Sequence, residues 1–149
     1  SARDAAHSWL GLAPAVLVEP MAEKPVAELI LGVAQDPVLG LHLVLGAGGV
    51  LTEILADSEI LLFPFTQDDV RRALEGLRIW PLLTGYRGGP VADVEAIVSA
   101  VTALGDFVQA HADRLIELDI NPLFVHARDR EPGQEHGVSV VDALIRMTD

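Results

Sequence analysis

The chain has 149 residues, the size of one ordinary domain, and half of them are hydrophobic, which excludes an intrinsically disordered protein. Its 22 acidic and 10 basic side chains give a net charge of −12, so we expect neither a nucleic-acid partner nor an anionic membrane surface. Because there is no cysteine, disulfides and thiolate metal sites are excluded, and a reducing, cytoplasmic location is expected. No apolar run is long enough to cross a bilayer. We expect a single domain over residues 1–149 that is part of a longer protein.

Alternating apolar and polar residues predict strands in the first third of the chain. Asp36-Pro37-Val38-Leu39-Gly40 is a turn signal, because proline fixes φ and glycine tolerates a positive φ. This turn predicts a hairpin between the strands on its two sides. The elements predicted here are a helix over 2–10 and strands over 15–20, 26–35 and 41–45.

Helices and strands are mixed in the rest of the chain. Thr66 and the acids after it resemble a capping-box start, and apolar residues at i, i+3 and i+4 predict a long helix from Val91 to about Asp113. The mixture predicts an α+β fold with a mostly antiparallel or mixed sheet packed against helices. The other predicted elements are helices over 51–55, 66–74 and 143–147, strands over 58–64, 115–124 and 138–141, and a glycine-rich loop over 82–90.

One predicted strand carries three oxygen-bearing side chains on a single face. Side chains alternate along a strand, so Glu117, Asp119 and Asn121 point the same way. Oxygen ligands of this kind suit Mg²⁺, and Asp142 on a neighbouring strand could complete the site. The same pattern also fits a solvent-facing edge strand, and Asp142 also fits a helix N-cap.

Two glycine-rich segments could present groups to an anion. Gly48 and Gly49 allow the tight turn that exposes backbone N–H groups, although the pattern by itself favours a purely structural turn. Arg87 lies among glycines and could bind a phosphate or carboxylate in a bidentate manner. Its alternative role is to pair with one of the many acidic side chains.

Five motifs in order over residues 15–142 resemble the ADP-forming (NDP-forming) acyl-CoA synthetases, a family related to the succinyl-CoA synthetase beta subunit. The strand motif E-x-D-x-N-P-L matches at residues 117–123, and the turn motif G-G-V-x-x-E matches at residues 48–53. The remaining motifs lie at residues 16–21, 28–40 and 82–88. Glu19 stands where the family usually has Gln, and Leu39 where it usually has Phe.

The resemblance implies the C-terminal lobe of an ATP-grasp domain, with ATP or ADP and Mg²⁺ as cofactors. It implies that Asn121 and Asp142 hold Mg²⁺ with support from Glu117. It also implies a hinge that meets adenine, glycines that bind the cofactor and two catalytic positions. These residues are Val18, Glu19 and Met21 for the hinge, Gly48 and Gly49 for the cofactor, and Glu53 and Arg87 for catalysis.

The resemblance also implies missing partners, namely the N-terminal ATP-grasp lobe and the CoA-binding domains. We therefore expect the chain alone to lack ligase activity, to expose the face that the other lobe covers, and to form a homo-oligomer. The alternative is a regulatory or scaffold region fused to a GNAT-type protein acetyltransferase, with ligase activity lost. The acyl substrate and the choice between ADP and GDP do not follow from the sequence.

Overall fold

The structure is a computed structural model that describes residues 21–49, 56–129 and 137–148. Its strands form one antiparallel sheet in the order β3-β2-β1-β4, and both β5 and β6 pair with the free edge of β4. The predicted α+β fold is therefore confirmed. The strands are β1 (Ala27–Asp36), β2 (Gly40–Ala47), β3 (Ser58–Leu62), β4 (Leu115–Val125), β5 (Val138–Val140) and β6 (Ala143–Met147). The helices are α1 (Gln67–Gly76), α2 (Trp80–Leu83) and α3 (Val94–Ala110), with a 3₁₀ turn at Tyr86–Gly88.

The predicted hairpin between β1 and β2 is confirmed, with Asp36 opposite Gly40. Asp36 Oδ1 accepts hydrogen bonds from the backbone N–H groups of Val38 at 2.7 Å and Leu39 at 2.8 Å. Gly40 adopts a φ of +72°, which only glycine reaches without strain. The turn residues therefore form the hairpin that their chemistry predicts.

The helix starts follow from capping residues. Thr66 caps α1: its hydroxyl accepts from Asp69 N, while Asp69 accepts from Thr66 N, so the predicted capping box is confirmed. The long helix α3 begins later than predicted, because Asp93 is its N-cap and accepts from Ala96 N at 3.1 Å. The preceding Ala92 is instead in a β-bridge with Ala127.

The core lies between one face of the sheet and helices α1 and α3. Apolar side chains alternate along β1 and β2 and meet the buried stripe of α3, and each fully buried residue of this kind contributes about 1.5–3 kcal/mol. The described elements leave the opposite face of the sheet open, and Ile60 and Leu62 on it are each 51% exposed. The fully buried large residues are Leu29, Leu31, Leu43, Leu45, Leu74, Leu83, Ile97, Leu118 and Leu123.

The predicted helix over 143–147 is wrong, because these residues form strand β6. Leu144 lies opposite Asp119 and Ile145 opposite Leu118 in the antiparallel ladder with β4. A five-residue segment makes few helical hydrogen bonds of its own, so pairing with β4 determines its conformation. The short helix α2 was not predicted, since a glycine-rich loop was expected from residue 82.

Three further sequence predictions, the helix over 2–10, the strand over 15–20 and the helix over 51–55, lie outside the described residues. Within the described ranges, no helix has the length and apolar content needed to cross a membrane.

Candidate functional site

A bulge in β4 brings two distant parts of the chain together. Leu29 pairs with Leu123 and Leu31 with Ile120, so β4 carries one residue more than β1 between these pairs. The extra residue falls at Asn121-Pro122, which is a cis peptide bond. Opposite this bulge, β5 ends and β6 begins. Asn121 N donates to the carbonyl oxygen of Asp142 at 3.1 Å, so the two segments are joined through their backbones.

The side chains of Asp119, Asn121 and Asp142 line a single cavity of about 240 Å³ at this junction. Ala143 and Leu144 complete its wall. Two carboxylates and one amide supply only oxygen ligands, which are the donors that Mg²⁺ prefers. The structure thus brings together the predicted residues Asn121 and Asp142. It adds Asp119, which the alternation of the strand predicted among the oxygen ligands but the family resemblance did not.

The donor set fits a cation that shares its coordination with phosphates and water. Across residues 21–49, 56–129 and 137–148, no group of three or more His, Cys, Asp or Glu side chains could hold a metal by itself. Mg²⁺ commonly uses one or two carboxylates and completes its shell with water and substrate phosphate oxygens. The cavity provides that smaller set of protein ligands.

Glu117, predicted to support the metal, lies elsewhere. Its Oε2 accepts a hydrogen bond from Arg146 Nη1 at 2.9 Å, across the ladder between β4 and β6. It is not among the residues that line the cavity of Asn121 and Asp142. A supporting role for Glu117 stays a prediction.

Gly48 and Gly49 border a different cavity, of about 290 Å³, together with Lys24 and Glu28. Gly48 N donates to the carbonyl oxygen of Glu28 at 2.7 Å. A Cβ at Gly48 would lie 3.0 Å from the carbonyl carbon of Glu28, and Gly49 has a φ of +73°. A side chain at position 48 would therefore crowd Glu28, and one at position 49 would strain the backbone.

Arg87 occupies a left-handed conformation, with a φ of +53°, inside the 3₁₀ turn. Its guanidinium carbon lies 5.2 Å from the centroid of the Tyr86 ring, in a cation–π contact. In the described part of the chain it forms no ion pair with an acidic side chain. The alternative role predicted for it, as the partner of an acid, has no support among these residues.

The remaining predicted positions are Val18, Glu19, Glu53 and Met21. The first three lie outside the described residues. Met21 is described, and its side chain is 94% exposed.

A family model described as an ATP-grasp domain matches residues 11–147. The beta subunit of ADP-forming acetate–CoA ligase II from Pyrococcus furiosus is 38% identical over 130 residues, which cover 87% of this chain and 52% of that subunit.

Solved structures show the same fold. A crystal structure of a Pyrococcus horikoshii protein matches with a TM-score of 0.74 and 33% identity, over 85% of this chain and 51% of that one. An acetyl-coenzyme A synthetase of Ca. Korarchaeum cryptofilum, solved with coenzyme A and Mg-AMPPCP, matches with a TM-score of 0.71 and 30% identity, over 85% of this chain and 55% of that one. The chain therefore spans about half the length of these relatives.

Proposed function

Because this chain belongs to the ATP-grasp family and is similar to part of the ADP-forming acetate–CoA ligases, we propose that it is the C-terminal lobe of the nucleotide site of such a ligase. The whole protein would convert an acid, CoA and ATP into acyl-CoA, ADP and phosphate. The other lobe of the site and the CoA-binding domains are its proposed partners. The observation that supports this most directly is the cavity shared by Asn121 and Asp142, the two positions at which the family motifs imply a metal.

In this proposal Asn121, Asp142 and Asp119 hold Mg²⁺ on the phosphates of the nucleotide. When bound, the metal neutralises phosphate charge and orients the nucleotide. The bulge in β4 and the hydrogen bond from Asn121 N to the carbonyl oxygen of Asp142 hold the two backbone segments together, so that both residues border the same cavity.

The turn at Gly48 and Gly49 is proposed to approach the nucleotide closely. The lack of side chains lets a phosphate come close to this turn from the cavity that it shares with Lys24 and Glu28, while Gly48 N stays bonded to the carbonyl oxygen of Glu28. A Cβ at either glycine would crowd Glu28, which gives a geometric reason for both glycines independent of the ligand.

The catalytic roles implied for Glu53 and Arg87 stay predictions. The same holds for the adenine-binding hinge of Val18, Glu19 and Met21.

The metal role is tested by titrating Mg-ADP into the full-length protein and measuring the heat of binding. We expect Asn121→Ala and Asp142→Ala to weaken binding about tenfold or more, since losing a bond to a charged partner costs about 1.5–3 kcal/mol. Asp68→Asn, an exposed change of charge on α1, is the matched control and should bind as wild type does. Wild-type affinity in both cavity variants would exclude the metal site.

Two more variants identify the supporting carboxylate. Asp119 lines the cavity, whereas Glu117 is bound by Arg146. We expect Asp119→Asn to weaken Mg-ADP binding and Glu117→Gln to have the smaller effect. A larger effect of Glu117→Gln would instead support the prediction from the sequence that Glu117 supports the metal. The full-length protein is then assayed for ADP formation that requires both a carboxylic acid substrate and CoA. Such formation indicates an active ligase, and its absence indicates a regulatory fusion.

A further inference from the structure

A third cavity, of about 510 Å³, lies at the end of the sheet where β1 begins and β4 ends. It shares no lining residue with the cavity of Asn121 and Asp142. One part of its wall is apolar, and the other carries ionisable side chains. The apolar wall residues include Pro25, Val26, Leu82 and Pro90, and the ionisable ones are Glu23, Lys24, Tyr86 and His126.

Groups that can be cationic or donate hydrogen bonds meet at this cavity. Lys24 is the sole lysine of the chain, in a protein whose net charge is −12. His126 also lines the cavity, and its Nε2 is 2.9 Å from Ser139 Oγ, which orients the ring. Tyr86 adds a phenol and an aromatic surface.

Arg87 follows the wall residue Tyr86 in the chain, although it does not itself line the cavity. Its guanidinium is held over the ring of Tyr86, one of the wall residues, and is not neutralised by any acidic side chain of the described residues. The backbone reaches this position through left-handed conformations at Gly85, Arg87 and Gly88. A strained non-glycine residue in a tight loop is a feature that proteins keep mainly at functional positions.

We propose that this cavity binds a small organic anion, a carboxylate or phosphate monoester carried on a flat apolar body. Lys24 attracts the anionic group, because an ammonium is a usual partner of carboxylates and phosphates, and Arg87 beside Tyr86 adds positive charge nearby. Val26, Leu82 and the Tyr86 ring contact the body. The volume lies within the range of small-molecule pockets. This site does not depend on the metal site proposed above.

The probes are phenyl phosphate and benzoate, titrated separately into the full-length protein. Two fragments serve as controls: inorganic phosphate lacks the aromatic ring, and benzyl alcohol lacks the anionic group. We expect at least one aromatic anion to bind saturably and more tightly than either fragment. Lys24→Gln should weaken that binding about tenfold, since it removes a charge-assisted hydrogen bond. Glu23→Gln removes the negative charge from the same wall and should tighten it.

The control variant is Arg72→Gln, which removes a positive charge from α1, where Arg72 pairs with Asp69 away from this cavity. It should leave probe binding unchanged, as should Asn121→Ala, which separates this site from the metal site. The cavity beside Gly48 and Gly49 is the neighbour of this site, and the two share Lys24, Pro25, Val26 and Leu82. No saturable binding of either aromatic anion, or equal weakening by Lys24→Gln and Arg72→Gln, would overturn the proposal.

Discussion

Asp57 shows how one buried side chain can connect two elements. It is 8% exposed, and its two carboxylate oxygens accept from the backbone N–H groups of Arg78 at 2.8 Å and Ile79 at 3.0 Å. Its own carbonyl oxygen accepts from Ala47 N at 2.9 Å. The residue before β3 thus ties the end of β2 to the segment between α1 and α2, next to the turn at Gly48.

Replacing Asp57 should therefore destabilise the fold. Asp57→Ala leaves two backbone donors without an acceptor, and we expect a loss of about 3 kcal/mol in the free energy of unfolding, measured by urea denaturation. Asp57→Asn retains one carboxamide oxygen and should lose about half as much. The exposed Asp68→Asn is the control, and an Asp57→Ala midpoint equal to that of the control would contradict this role.

The central residues of the candidate site could be predicted from the sequence, but its supporting carboxylate could not. Asn121 follows from a motif and Asp142 from the family resemblance, and the structure places both in one cavity. Asp119 and Glu117 point to the same face of β4, so alternation alone does not distinguish them. Arg146 lies opposite Glu117 in the ladder and binds it, and only the register of β6 shows this.

At the scale of elements, local side-chain bonds fix both a turn and a helix start. Hydrogen bonds from the backbone N–H groups of Leu39 and Val38 hold the pKa of Asp36 below its usual value. Hydrogen bonds from the side chain and backbone of Thr66, with a smaller effect of Arg72, lower the pKa of Asp69. Both carboxylates are therefore bound more favourably when ionised.

The stability that Asp69 provides should depend on pH in one direction. Because its pKa is lowered on folding, its contribution is complete above the unfolded pKa of about 3.9 and is lost as pH falls through the folded value. We expect Asp69→Asn to lower the melting temperature at pH 7 and to differ less from wild type at pH 2. A difference that grows on acidification would contradict this.

The matched control is Asp68→Asn, which removes an acid from the same helical turn without breaking the capping box. Thr66→Ala removes the hydroxyl acceptor and should cost about 1 kcal/mol at pH 7.

At the scale of the whole molecule, the described elements cover only one face of the sheet. Helices α1 and α3 cover one side, while Ile60 and Leu62 on β3 are half-exposed on the other. The chain spans about half the length of its relatives, and an uncovered apolar face of this kind is a common contact surface.

We therefore expect the 149-residue chain alone to self-associate through the open face. Light scattering during size-exclusion chromatography should give a mass that rises with concentration. The double variant Ile60→Lys with Leu62→Lys should shift the chain toward monomer. Val38→Lys, at the exposed tip of the hairpin, is the control. A wild-type chain that stays monomeric at every concentration would contradict this prediction.

The sequence by itself determined the features that depend on neighbours along the chain. The turn at Asp36, the cap at Thr66 and the alternation in β1 all require only short-range bonds and periodic burial, and all are present in the structure. The motif around Asn121 likewise identified the strand that carries the candidate ligands.

Tertiary structure decided what depends on pairing between distant segments. Residues 143–147 form a strand because β4 offers them a hydrogen-bonding edge, not because of their own propensity. The same pairing brings Asp142 to Asn121 and withdraws Glu117 toward Arg146. The cavity at Lys24 is also formed by segments far apart in sequence. Short-range patterns carry no information about such contacts, because only packing of the sheet and helices fixes them.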